Sequence, residues 1–191
     1  IVNIQKLHGN WKAGWALDLH TIKSIPLGDG HFDTTYTEVG YALNHLKYHQ
    51  DYSQIDVLAN ATIEFMRTRM VTPYLNVILP TPPSVSRQIQ PVEAIAEKIS
   101  SSLDIPIDKG YLIKNHNTEQ LKGVDDLAER KKILDGSFTV PDTRYQNRKV
   151  LLFDDLFRSG TTLNEITKTL YNVGKVQNIY VVTLTKTRVN R

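Results

Sequence analysis

The sequence predicts an α/β fold built on a mostly parallel, twisted sheet flanked by helices. Three observations carry this expectation. Short apolar runs of strand length occur at residues 75–80, 150–153 and 178–185. Segments with apolar residues at helical spacing follow the first two, at 91–103 and 162–173. Alternation of this kind implies right-handed crossovers and strands that run parallel.

Taken in order, the elements begin with residues 11–36, which read as a hairpin. Residues 15–19 alternate outward and inward, "PLGDGHF" supplies a Gly-rich reversal, and "HFDTTYT" returns as the partner strand. From Thr37, the residues Val39, Leu43, Leu46 and Tyr48 recur at helical spacing, with Glu38 in the first turn. A second helix covers 53–70, using Ile55, Leu58, Ala59, Ile63 and Met66. "LNVILP" is a buried strand closed by proline-rich "PTPP", and Pro91 opens the helix that follows. Residues 104–149 are polar, charge-dense and broken by Gly110, Gly123 and Gly136, with a helix expected at 125–134 and a short strand at 137–140. The strand 150–153, the helix 162–173 ended by Gly174, and the strand 178–185 complete the chain.

A chain of 191 residues suits one domain with a core of its own, and 40% hydrophobic with 23% charged residues is ordinary for a soluble globular protein. No apolar run approaches the roughly 18 residues of a membrane helix. No basic-then-apolar leader precedes the fold, although Ile1 leaves open a longer chain upstream. The absence of cysteine excludes disulfides, cysteine–zinc sites and a thiol nucleophile, and suits the reducing cytoplasm expected as its location. A net charge of +3 and a pI near 9.0 fit phosphate-rich ligands but are too weak to argue for nucleic acid.

The chemistry concentrates in "KVLLFDDLFRSGTTL", residues 149–163. Ligands of a parallel sheet sit beyond the carboxyl ends of its strands, where Asp154 and Asp155 are expected. Adjacent carboxylates repel unless a ligand supplies donors, and a vicinal diol offers two charge-assisted hydrogen bonds. Next, Gly160 turns the backbone, Ser159, Thr161 and Thr162 add hydroxyls, and a helix start adds its positive dipole end. These features describe a phosphate pocket beside a diol site, hence a ribose 5-phosphate. Alone, Asp-Asp also fits a loop start with a helix cap; the whole pattern is far rarer. No GxxxxGK[ST] and no GxGxxG opening a helix after a strand is present, which argues against the common nucleotide loops. His45 and His49, four apart without a third ligand, read as helix surface, and the Asn60 sequon is discounted within a helical pattern.

Residues 149–163 closely resemble the phosphoribosyl-diphosphate motif of the type I phosphoribosyltransferases. The resemblance implies that fold, with a flexible hood over about 104–149 and a phosphoribosyltransferase domain over 37–191, the hairpin of 1–36 being an extension. By it, Asp154 and Asp155 bind the ribose hydroxyls, and Arg158, Ser159, Gly160, Thr161 and Thr162 cradle the 5-phosphate. Arg158 stands where the family has a small hydroxyl residue. "RQIQPVEAIA" and "ERKKILDGSF" resemble stretches of the ComF-type subgroup, whose N-terminal cysteine zinc module is missing here. They imply that Arg87, with Ser84 and Ser86 beside it, faces the diphosphate, joined by Lys122 and Arg130 of the hood. "LNHLKYHQD" looks like a further family helix, in which Lys47 either reaches the ligand or caps a surface.

The same resemblance implies Mg²⁺ as cofactor, held mainly through ligand oxygens and water near Asp154 and Asp155. It also implies phosphoribosyl diphosphate and a base or amine as substrates, with diphosphate release. The alternatives are a non-catalytic regulator that binds the same ligand, or a ComF-type DNA-uptake accessory protein. Direct nucleic-acid binding and a membrane partner are not expected. The acceptor and the subunit count stay open, dimers being common in the family.

Overall fold

The apolar runs become the centre of a layered structure. The computed structural model describes residues 2–115 and 126–188; within 127–134, the side chains of residues 130, 131, 133 and 134 also lie outside the described ones. In chain order the first half contains β1 (Gln5–Lys6), β2 (Ala13–Leu19), β3 (Thr21–Pro26), β4 (Phe32–Tyr36), α1 (Glu38–Tyr48), α2 (Gln54–Arg67) and β5 (Val77–Pro80). The second half contains α3 (Pro91–Leu103), β6 (Ile113–Lys114), α4 (Leu127–Leu134), β7 (Phe138–Thr139), β8 (Lys149–Phe157), α5 (Thr161–Asn172) and β9 (Asn178–Lys186).

The main sheet has the order β1-β2-β9-β8-β5. Its β2–β9, β9–β8 and β8–β5 pairs are parallel, and only β1 runs antiparallel to its neighbour. Beyond β5 the chain adds a single parallel bridge, Ile78 to Ile107. Both faces are covered, as a parallel sheet requires. Leu17, Ile78, Leu151, Phe153 and Leu184 pack with the apolar stripes of α1, α2 and α3 on one side. Ala16, Val77, Leu79, Val150, Leu152 and Val181 pack with Leu163, Ile166 and Leu170 of α5 on the other. No helix of the described residues is long and apolar enough to cross a membrane.

The N-terminal hairpin forms later in the chain than its pattern suggests. Residues 15–19 do not pair with 32–36; β2 enters the main sheet beside β9, and the return strand β4 pairs instead with β3. The physical reason is burial. Ala16 and Leu17 point to opposite faces and both are fully covered, so β2 is an inner strand and not half of a surface ribbon. The turn itself falls at the glycine-rich segment, where Gly28 and Gly30 both adopt positive φ and the Leu27 amide donates to the His31 carbonyl at 2.9 Å.

A second difference bears on the site. The strand expected at 150–153 continues to Phe157, because β9 runs on beside it and offers Thr183, Thr185 and Lys186 as partners for Asp154, Leu156 and Phe157. On the other side β5 stops at Pro80, opposite Phe153. Asp154 and Asp155 therefore lie inside a strand, on rungs where one neighbour has ended. Smaller shifts occur at helix ends. α2 stops at Arg67 rather than 70, followed by a 3₁₀ turn at Thr72–Tyr74, and α5 starts at Thr161. The polar stretch 104–149 contains a small antiparallel pair, Ile113 to Thr139 and Lys114 to Phe138.

Candidate functional site

The end of β5 creates a crevice. The loop after β5 (81–90) and the turn between β8 and α5 face each other across it, and a cavity of about 560 Å³ lies between them. Thr81 joins the two strands, its amide donating to the Phe153 carbonyl at 2.9 Å. Gln90 pins the loop by donating from Nε2 to the Val85 carbonyl at 3.1 Å, and Pro91 then starts α3.

Of the residues singled out from the sequence, Asp154, Asp155, Arg158, Ser159, Gly160, Thr161, Thr162, Ser84 and Arg87 all line this one cavity. Ser86 does not; it is exposed beside the cavity loop. Lys122 lies outside the described residues. So does the side chain of Arg130, whose backbone belongs to α4.

The carboxylates have different surroundings. Asp155 accepts a hydrogen bond and ion pair from Lys47 Nζ on α1 at 2.7 Å, with both side chains less than one-fifth exposed. Burial opposes ionisation of Asp155, but the Lys47 ammonium outweighs it and holds the carboxyl below the usual carboxylate range. Asp154 has no such partner. Burial first, and the Asp155 charge second, push its carboxyl well above that range, although Thr81 and the Asp155 amide donate to it. Lys114, on β6, also lines the cavity; burial lowers its pKa and the Asp154 carboxylate works against that shift.

The turn between β8 and α5 is shaped by backbone. Gly160 is the N-cap of α5 at φ +80°, and the first amide of that helix, on Thr161, donates to Ser159 Oγ at 3.4 Å. Its first turn carries no acidic residue, so the helix end presents amides and a positive dipole end to the cavity. Ser159 Oγ and Thr161 Oγ1 hydrogen-bond each other at 2.8 Å. A Cβ at Gly160 would meet the Phe157 ring at 3.0 Å, and that ring packs edge-on against Trp11 with centroids 6.1 Å apart. The turn thus has an aromatic floor, and only glycine fits both its space and its φ.

Sequence reasoning missed Thr81 and Lys114 and left the direction of Lys47 open. Thr81 had a signal in its place directly after a buried strand. Lys114 had none, because it depends on a two-residue ribbon whose inner pair, Lys114 and Phe138, lies 24 positions apart in sequence. Among the described residues no three His, Cys, Asp or Glu side chains gather as a metal cluster. The adjacent carboxylates at a half-exposed crevice fit a hard cation that keeps water and ligand oxygens.

No protein family matches the chain, and no curated protein matches it in sequence. Among solved structures it is similar to an allosteric regulatory enzyme of purine biosynthesis, with 18% identity and a TM-score of 0.47 over 69% of this chain and 26% of that one. It is similar to UMP synthase of Leishmania donovani, with 16% identity and a TM-score of 0.43 over 83% of this chain and 27% of that one. A third is adenine phosphoribosyltransferase of Leishmania tarentolae, with 12% identity and a TM-score of 0.49 over 96% and 94% of the two chains. The chain spans about a quarter of the length of the first two. At these identities the likeness concerns the fold alone.

Proposed function

We propose that the chain binds 5-phosphoribosyl 1-diphosphate and, with Mg²⁺, transfers its phosphoribosyl group to a nitrogen nucleophile with release of diphosphate. The observation that carries this reading is that one cavity holds the carboxylate pair, the helix start at Gly160 and the loop bearing Arg87. A sugar with hydroxyls, a terminal phosphate and a diphosphate matches those three parts in kind.

In this reading the amides and hydroxyls of residues 159–162 bind the 5-phosphate. Asp154 and Asp155 take the ribose hydroxyls. Asp155, kept ionised by Lys47, stabilises positive charge that grows on the ribose as the anomeric bond lengthens. Asp154 gains the ribose hydroxyls as donors beside Thr81 and the Asp155 amide. Arg87 and Lys114 face the departing diphosphate, joined by Lys122 and Arg130 of the hood. Mg²⁺, near Asp154 and Asp155, supplies further neutralisation of diphosphate charge when bound. The acceptor nitrogen's lone pair forms the new bond to the anomeric carbon as the carbon–oxygen bond breaks. The electron pair leaves on diphosphate, and the nitrogen's proton passes to water.

A second reading, binding without turnover in a regulator, is favoured by Lys47, which already occupies Asp155 in the free protein. Kinship with the ComF-type subgroup, and its accessory role in DNA uptake, rests on the resemblances at 43–51, 87–96 and 129–138. Calorimetric titration with phosphoribosyl diphosphate and Mg²⁺, followed by diphosphate release across a panel of bases, separates these. Binding with release supports transfer; binding without release from any base supports the regulator; no binding contradicts both.

A further inference from the structure

A second cavity, of about 380 Å³, opens from the first and shares Lys47, Tyr48, Leu156 and Arg158 with it. Its far wall is the β3–β4 hairpin, and its base is α1 and the ends of β8 and β9. The hairpin therefore has a place beside the site. Three cations line this space, Lys47, Arg158 and Arg188, and no carboxylate does. Lys47 is committed to Asp155. Among the described residues no ion pair joins Arg158 or Arg188 to a carboxylate, while Arg188 Nε is anchored on Thr21 Oγ1 at 3.1 Å.

The remaining polar groups are neutral. Asn44 Nδ2 donates to the Tyr36 hydroxyl at 3.3 Å, and Ser24 and Thr34 pair through their hydroxyls at 3.0 Å. His20 Nδ1 lies 3.1 Å from Thr185 Oγ1, and burial first, then Lys47, lowers the His20 pKa, so the imidazole adds no charge at neutral pH. A small chamber with two guanidinium groups and, among the described residues, no counter-charge repels cationic amines and attracts anions. Guanidinium groups pair with planar carboxylates with particular strength.

We propose that this second cavity seats the acceptor, and that the acceptor is a nitrogen nucleophile bearing a carboxylate held by Arg158 and Arg188. The proposal rests on the donor reading above and narrows it from any base to acidic ones. Donor and acceptor then meet at the boundary formed by Leu156 and Tyr48, where the two cavities join.

The test uses matched acceptor pairs that differ in acidity, nicotinate against nicotinamide and orotate against uracil. Each is titrated by calorimetry into the wild-type chain saturated with phosphoribosyl diphosphate in the absence of Mg²⁺, so that the heats report binding and not transfer, and into the Arg188→Gln variant. The expected result is at least tenfold tighter binding of one acid than of its neutral partner in wild type. In Arg188→Gln that preference falls about tenfold, the worth of one charge-assisted bond, and donor affinity is unchanged. Equal or tighter binding of both neutral members, no preference for either acid, or an undiminished preference in the variant overturns the proposal while leaving the donor reading intact. Failure of the donor itself to bind overturns both.

Discussion

Burial and the Asp155 charge hold the Asp154 carboxyl above the ordinary carboxylate range, whereas Lys47 holds Asp155 below it, and the two shifts act on stability with opposite signs. For Asp154 the folded chain binds its proton more tightly than the unfolded one, so stability falls as pH rises from about 4 toward the raised pKa. For Asp155 the contribution is present above the ordinary carboxylate pKa and is lost as pH falls through the lowered one. Urea unfolding of the ligand-free chain between pH 5 and pH 7 therefore carries an Asp154 component that falls with pH by at most about 1.4 kcal/mol per unit, against an opposite component from His20, whose pKa burial lowers. Asp154→Asn should remove the falling component and raise stability at neutral pH; an unchanged slope would assign the pH dependence to other groups. Asp155→Asn, by contrast, removes the partner of Lys47 and is expected to slow diphosphate release by roughly 2–3 kcal/mol of transition-state stabilisation. An unaltered kcat/KM would remove Asp155 from the mechanism.

Two glycines set the elements that carry these residues. Gly160→Val forces a β-branched side chain into left-handed backbone and against Phe157, at about 1–2 kcal/mol in stability. The variant should keep its far-ultraviolet circular dichroism yet give no heat with ribose 5-phosphate; a normal titration would mean the α5 start is not the anion cradle. Gly40, in the first turn of α1, lies against the His20 carbonyl, where a Cβ would come within 1.9 Å of the oxygen. Gly40→Ala should push α1 off the β2–β3 bend, cost about 1–3 kcal/mol in urea unfolding, and disturb the helix that carries Lys47. No measurable loss would mean that the contact relaxes freely. At this scale much was legible in the sequence. Pro91 gave the start of α3, the spacing from Thr37 the start of α1, and Gly174 the end of α5, because each rests on local sequence. The extension of β8 through two aspartates was not legible, since it depends on β9, more than twenty residues away. For the same reason β2 was read as half a hairpin: its parallel partner lies at the other end of the chain.

For the whole molecule, the arrangement of function follows from where strands stop. β5 ends opposite Phe153 while β8 and β9 continue, so the sheet opens on one side of the aspartates, and loops from separate crossovers meet there. The acidic pair, the small-residue turn and the helix start were readable from 149–163 because they are contiguous. The Lys47 pairing and the second cavity were not, because they join positions 108 or more residues apart or depend on the hairpin's placement. The most direct test is a crystal structure of the chain soaked with phosphoribosyl diphosphate and Mg²⁺. The account predicts the 5-phosphate on the amides of residues 160–162 and the ribose hydroxyls on Asp154 and Asp155. Clear density for the sugar bound elsewhere, with that crevice holding only water, would contradict it.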